Sequence, residues 1–220
     1  AHGGIESARS GKPSIYICHG GLVDLAVPIM VKGNYLGAIM AGQVKIDEEE
    51  MKRLAFALKI LNTHYSDVAL SVDTFRADVA RRCVEEYGVA IINDISGGEL
   101  DAGMFETVAR LHVPYIMMHM QGTPQDMQQH PHYDNLLKEV FMYFSHKVQQ
   151  LRDLGVKDII LDPGFGFAKN LQHNLSLFKH MQALHGFARP LLVGVSRKSM
   201  IGQVLGREVD QRLAGGLALA

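Results

Sequence analysis

Cysteine is scarce in this 220-residue chain: Cys18 and Cys83 lie far apart and form no C-x-x-C pair. Neither a disulfide framework nor a thiolate zinc site is expected, and a reducing cytoplasm fits that usage. An excess of charge is lacking too, with 22 Lys and Arg against 23 Asp and Glu and a formal net charge of -1. That balance gives no electrostatic case for nucleic acid or an anionic membrane, and an anionic small substrate would need local positive groups. No apolar run reaches membrane-spanning length, and Ala1-His2-Gly3-Gly4 has neither a basic start nor an apolar signal core. An initiator Met is absent and the sequence stops within the helix-like Leu213–Ala220, so a fragment is expected.

What is present suffices for one sizeable core, at 47% hydrophobic and 20% charged residues. Two styles of sequence meet near residue 46. Before it, Ser14–Cys18, Ala26–Val31 and Tyr35–Met40 read as short strands of an antiparallel hairpin with a tight turn at Gly33-Asn34. After it, strand, loop and amphipathic helix repeat. Asp47 with Glu50 three residues on reads as a capping box, and Met51, Leu54, Ala55, Leu58 and Leu61 predict one apolar helix face ending near Asn62. Five mostly apolar runs follow, Val68–Asp73, Val89–Asn93, Pro114–His119, Asp158–Asp162 and Leu191–Ser196. The helices between them show apolar faces, Val79, Cys83 and Tyr87 before Gly88, and Leu137, Val140, Phe144, Val148 and Leu151 before Gly155. The two glycines stand where helix C-caps belong. Such alternation predicts an α/β protein with a parallel sheet, either open and doubly wound or a (β/α) barrel.

In both architectures ligands gather at the carboxyl ends of the strands. Asp73, Asn93, His119, Asp162 and Ser196 all fall on that edge. A carboxylate in an apolar mouth is costly unless paired, and a planar ligand with an amidine-like N–H pair offers two parallel hydrogen bonds. Asp162 is the best candidate for that role. Asn93 carries both donor and acceptor and can read the mixed edge of a heterocycle, or else cap its own loop. Lys198 can contact ring acceptors while Ser196 and Arg197 take an anionic group, or the three form a solvated cationic turn. The run Asp162–Asn170 adds glycines that allow close backbone approach and an aromatic able to stack on a ring.

With those residues in view, Ser71–Thr74, Ile91–Asp94, Met118–Gly122, Leu161–Phe167 and Gly194–Gly202 resemble the successive motifs of the dihydropteroate synthase family, from Asp47 to the end of the chain. The resemblance implies a (β/α)8 barrel and a folate-biosynthesis transferase. Its reaction joins 6-hydroxymethyl-7,8-dihydropterin pyrophosphate to 4-aminobenzoate, with magnesium assisting the pyrophosphate. It further implies that Asp73, Asn93, Asp162 and Lys198 hold the pterin, that Met118 and Gly194 line its pocket, and that Phe167, Ser196 and Lys198 border the aminobenzoate. Asp73 is the candidate for stabilising cationic character on the pterin methylene in the transition state. Family members are commonly homodimers.

The available elements correspond to strands three to seven of that barrel. The first strand with its magnesium Asn, the second with its Ser-Thr-Arg-Pro loop, and the eighth with its Arg-x-His have no counterpart in the sequence. A partial (β/α)8 barrel is therefore expected over 47–220, with residual pterin binding at most and no metal ligand assigned. Residues 1–46 form a separate segment in which Gly11–Asp24 resembles the end of a PocR-type sensory domain. Cys18-His19 and His130-Pro-His132 offer too few ligands for a metal site, and His119 reads equally as a satisfied strand-end residue or a ligand contact. Two other classes stay open: a methyltetrahydrofolate:corrinoid methyltransferase-type protein, and a non-enzymatic small-molecule sensor.

Overall fold

The computed structural model describes residues 14–17, 23–31, 34–41, 47–122, 127 and 131–219, those before residue 50 as backbone. Strands β1 (Ser14–Ile17), β2 (Val23–Val31) and β3 (Asn34–Ala41) form an antiparallel sheet in that order. The hairpin expected there is present, with β2 and β3 paired from Leu25 opposite Ala41 to Val31 opposite Asn34. Asn34, read as half of a tight turn, opens β3 instead, and the connection Lys32-Gly33 lies outside the described residues. Pro28 sits beyond Ala26, the last β2 residue paired with β1.

Helix α1 (Asp47–His64) buries Met51, Leu54, Leu58 and Leu61, the face its spacing predicts, with Ala55 half-buried. It continues two residues past the predicted end. Strand and helix then alternate: β4 (Ser71–Asp73), α2 (Ala77–Tyr87), β5 (Ile91–Asp94), α3 (Met104–Leu111), β6 (Tyr115–Met118), α4 (Leu136–Asp153), β7 (Ile159–Asp162) and α5 (Leu171–His180). A 3-10 turn over Met181–Phe187, α6 (Ser199–Leu205), a second 3-10 turn and α7 (Leu213–Leu219) complete the described chain. The second sheet runs β4-β5-β6-β7. Strand order that follows chain order without a reversal is barrel grammar, because a doubly wound sheet turns back at a switch point. The fifth predicted strand, Leu191–Ser196, is reduced to one parallel bridge between Leu191 and Leu161. Leu192 N donates to Leu161 O at 2.8 Å, and from there the run is half-exposed up to Gly194.

The chain divides into two compact units. The first comprises Ala1–Asp94, Gly98–Tyr115 and Leu154–Asp158. In it β4 and β5 pair in parallel with buried Val72 opposite Ile92, and α2 and α3 bury Val79, Cys83, Met104 and Val108. Gly88 caps α2 in the left-handed region at φ 67°, donating to Cys83 O and Val84 O, as its position predicts. The second unit comprises Ile95–Gly97, Ile116–Asp153 and Ile159–Ala220. Its longest helix, α4, buries Leu136, Val140, Phe144, Val148 and Leu151. Leu136 occupies the buried position that the sequence assigned to Leu137, one residue earlier on the same stripe. Each such side chain contributes roughly 1.5–3 kcal/mol relative to exposure. No helix among the described residues is long and apolar enough to cross a membrane.

Candidate functional site

In the first unit, Asp73 and Asn93 end adjacent strands and face each other in register. Asn93 Nδ2 donates to Asp73 Oδ2 at 2.9 Å. The other face of the amide is unusual. Asn93 Oδ1 is buried and has no hydrogen-bond partner among the described residues. A buried acceptor left empty costs about 1–3 kcal/mol, which an N–H donor placed against it would recover. Behind Asp73, buried Thr74 donates from Oγ1 to Glu50 Oε1 at 2.7 Å, and Glu50 is ion-paired with Arg76. Glu50, read in sequence as the closing residue of a capping box, thus braces the strand end after β4. Asp94, fully buried, accepts from Gly98 N at 2.8 Å and Tyr115 Oη at 2.7 Å, a structural role.

In the second unit, Asp162 ends β7 and accepts from Gly164 N at 2.8 Å through Oδ1. Burial raises its pKa, while that hydrogen bond and the charges of Lys198 and Lys169 oppose the rise. Lys198 donates to Phe165 O at 2.6 Å, and its ammonium lies 4.4 Å from the centre of the Phe167 ring. Burial lowers its pKa against the pull of Asp162. Phe167 packs against the buried cluster of Met118, Met120 and Ala168. A carboxylate, an ammonium and an aromatic face are thereby assembled from the ends of β6 and β7 and the turn before α6. Such a set can receive a flat, nitrogen-rich ring.

Beneath this layer Lys169 is 3% exposed. Its Nζ lies 3.0 Å from His119 Nδ1, 3.0 Å from the Phe167 carbonyl, 3.2 Å from that of Gly164 and 3.4 Å from that of His119, so its three N–H groups are shared among four acceptors. Whenever Lys169 is charged it has no lone pair, so His119 Nδ1 is then the acceptor and the imidazole proton sits on Nε2. Burial, followed by the Lys169 charge, pushes the His119 pKa down to about 3, and burial brings Lys169 down to about 7.

The profile described as pterin binding enzyme matches residues 41–220. The chain belongs to the pterin-binding enzyme family. It is 42% identical over 175 residues to the bifunctional dihydropteroate synthase/dihydropteroate reductase of Helicobacter pylori, covering 80% of this chain and 45% of that protein. It is 41% identical over 182 residues to the dihydropteroate synthase of Escherichia coli K12, covering 82% of this chain and 63% of that one. The crystal structure of the Yersinia pestis dihydropteroate synthase with a sulfonamide drug superimposes with a TM-score of 0.74 at 40% identity, over 81% of this chain and 64% of that one. The chain thus spans less than two thirds of these relatives, and its fold is part of their (β/α)8 barrel.

In this member of the pterin-binding enzyme family, the predicted site residues fall into three groups. Asp73 and Asn93 are hydrogen-bonded to each other in one unit. Asp162, Lys198, Phe167 and Met118 are gathered in the other. Gly194, Ser196 and Arg197 lie on an exposed turn, with open space where a Gly194 Cβ would stand and Arg197 at φ 52°. Of the histidines, His119 is the satisfied strand-end residue rather than a free one. His132 is exposed beside Asp134 at 3.2 Å, whereas Cys18, His19 and His130 lie outside the described residues. Sequence reasoning missed Lys169, whose only signal was its place at the end of the Phe-Gly-Phe-Ala-Lys run. It also missed the Glu50–Thr74 brace, which joins residues 24 apart.

Proposed function

We propose that this chain carries the pterin-binding part of a dihydropteroate synthase, which condenses 6-hydroxymethyl-7,8-dihydropterin pyrophosphate with 4-aminobenzoate. The reading rests above all on Asn93, whose buried Oδ1 lacks a partner while its Nδ2 is engaged by Asp73. Asp73, Asn93, Asp162 and Lys198 are proposed to hold the pterin, Met118 and Gly194 to line its pocket, Phe167, Ser196 and Lys198 to border the aminobenzoate, and Arg197 to bind an anionic group together with Ser196. The Asp162 carboxylate suits the paired N–H groups of the ring, and the Asn93 acceptor suits a further ring N–H. As pyrophosphate departs, the methylene gains cationic character. A fixed carboxylate at Asp73 would stabilise charge that develops only then.

Magnesium is expected for this reaction, but the donor set does not build a site for it: no three His, Cys, Asp or Glu side chains cluster among the described residues. No step is assigned to it. A cytoplasmic setting and a homodimer are part of the proposal. So is the division at residue 46, with the preceding segment read as a PocR-type piece.

The test is titration of the full chain with 6-hydroxymethylpterin by calorimetry, followed by an assay of dihydropteroate formation. Saturable pterin binding is expected, weakened on the order of tenfold in Asn93→Leu. Absence of binding by the folded chain would remove the reading. In any form of the enzyme that turns over, Asp73→Asn should bind the pterin and lose turnover; undiminished turnover would take the proposed role away from Asp73.

A further inference from the structure

The loop after β7 carries three groups that the proposed pterin site needs: the Asp162 carboxylate at its start, the Phe165 carbonyl that anchors Lys198, and the Phe167 ring beneath the Lys198 ammonium. It has no regular secondary structure of its own. Three left-handed residues succeed one another in five positions, Gly164 at φ 70°, Gly166 at φ 80° and Ala168 at φ 49°. Such a backbone leaves its carbonyls without a ladder partner, and buried carbonyls require donors. Asn174 supplies two contacts from α5, accepting from Gly166 N at 2.8 Å and donating to Lys169 O at 3.2 Å. Tyr133 Oη donates to Ala168 O at 3.0 Å. Lys169, from within the loop, donates to the Gly164 and Phe167 carbonyls, the former also accepting from Phe167 N at 3.1 Å.

We propose that Lys169 is a positioning residue for the pterin site, an inference that rests on the pterin reading. Its buried ammonium ties the Gly164 and Phe167 carbonyls to His119 on the neighbouring strand end, and so fixes Asp162, Phe165 and Phe167 in the arrangement that receives the ring. Lys is almost never fully buried unless paired, and here its partners are three carbonyls and one imidazole rather than a carboxylate. Its charge therefore remains available to act on Asp162 through a low-dielectric interior. The ammonium favours the ionised carboxylate, the form that accepts the N–H pair of a pterin. Among the described residues the other groups coupled to its charge are Lys198, His119 and His173 on α5, and Glu139 acts on the neighbouring Tyr133. His119 completes the device as a neutral acceptor, held edge-on by the Tyr143 ring at 4.8 Å.

Lys169→Met in the full chain keeps the length of the stem and removes the charge. A carboxyl NMR titration of Asp162, without ligand, should show its midpoint displaced to higher pH in the variant. The acid limb of 6-hydroxymethylpterin binding should move with it, and affinity near neutral pH should fall on the order of tenfold. Purely mechanical loosening would weaken binding equally at every pH and leave the Asp162 midpoint where it was; that result in a folded variant overturns the proposal. Should Lys169→Met not fold, His119→Gln decides. It leaves the ammonium and its carbonyls, so the Asp162 midpoint should stay while the Phe167 ring resonances and pterin affinity change. Unaltered Phe167 resonances and affinity in His119→Gln would likewise overturn the proposal. If the wild-type chain binds no pterin yet Lys169→Met displaces the Asp162 midpoint and His119→Gln alters the Phe167 resonances, the functional reading has failed and the positioning role of Lys169 stands.

Discussion

At the scale of single residues, the site holds groups that are poorly placed for stability and well placed for a ligand. Burial disfavours the Asp162 carboxylate even though Gly164, Lys198 and Lys169 lean the other way. A carboxyl whose folded pKa is raised contributes stability below its ordinary value, and that contribution is lost as pH rises through the folded one. At neutral pH the ionised side chain is therefore a liability to the fold. Asp162→Asn should melt at the same temperature as the wild type or higher, yet lose pterin affinity by on the order of a hundredfold, because an amide cannot accept two parallel N–H bonds. Thermal denaturation paired with calorimetry checks this, and a variant that is both less stable and still binding would contradict it. Sequence made Asp162, Asn93, Asp73 and Lys198 legible because each ends a strand-like run in polarity. Lys169 was not legible: a lysine in a loop reads as solvated, and only the carbonyls that close over it reveal its burial.

At the scale of elements, the helices and the first four parallel strands could be read from periodicity, since Met51, Leu54, Leu58 and Leu61 or Val140, Phe144, Val148 and Leu151 mark their faces unambiguously. The strand ends drifted by a few residues, as at Ser71, because pairing partners rather than composition end a ladder. Leu191–Ser196 has strand composition but forms a single bridge, with Gly194 and an exposed turn following. Glycines separate the two kinds of loop. Gly88 at φ 67° has nothing within 4 Å of an added Cβ, so Gly88→Ala should cost about 1 kcal/mol of strain at the cap and leave pterin binding alone. Gly164 at φ 70° would place its Cβ 2.1 Å from the His119 carbonyl oxygen. Gly164→Ala must push the loop away from β6, costing roughly 2–4 kcal/mol and abolishing binding. Denaturant melts with pterin titrations of both variants distinguish a cap from a site loop; equal losses of stability and affinity would refute the distinction.

At the scale of the whole molecule, buried ionisable groups set how stability responds to pH. His119, held near 3 against an ordinary 6.5, has a depressed pKa, so its contribution is complete above 6.5 and lost as pH falls toward 3. His173 acts in the same direction, and Asp162 opposes both on the acid side. Lys169, brought to about 7 from 10.5, is also depressed; its contribution grows as pH rises from 7 and is complete above 10.5, with Lys198 adding to it. Cys83 works against this at alkaline pH, because burial lifts its thiol from 9.0 to about 12 and the unfolded chain ionises first. Tyr133 is raised likewise. The sum is a melting temperature that climbs from roughly pH 4, levels off above about pH 9 as Cys83 offsets the lysines, and declines above about pH 10 once Tyr133 joins it. His119→Gln should flatten the acid limb, Lys169→Met should remove the climb above pH 7, and Cys83→Ala should delay the alkaline decline. A wild-type melting temperature that stays level from roughly pH 5 to about pH 9 would mean that these groups are solvated in the folded protein and that no buried ionisable layer underlies the proposed pterin site.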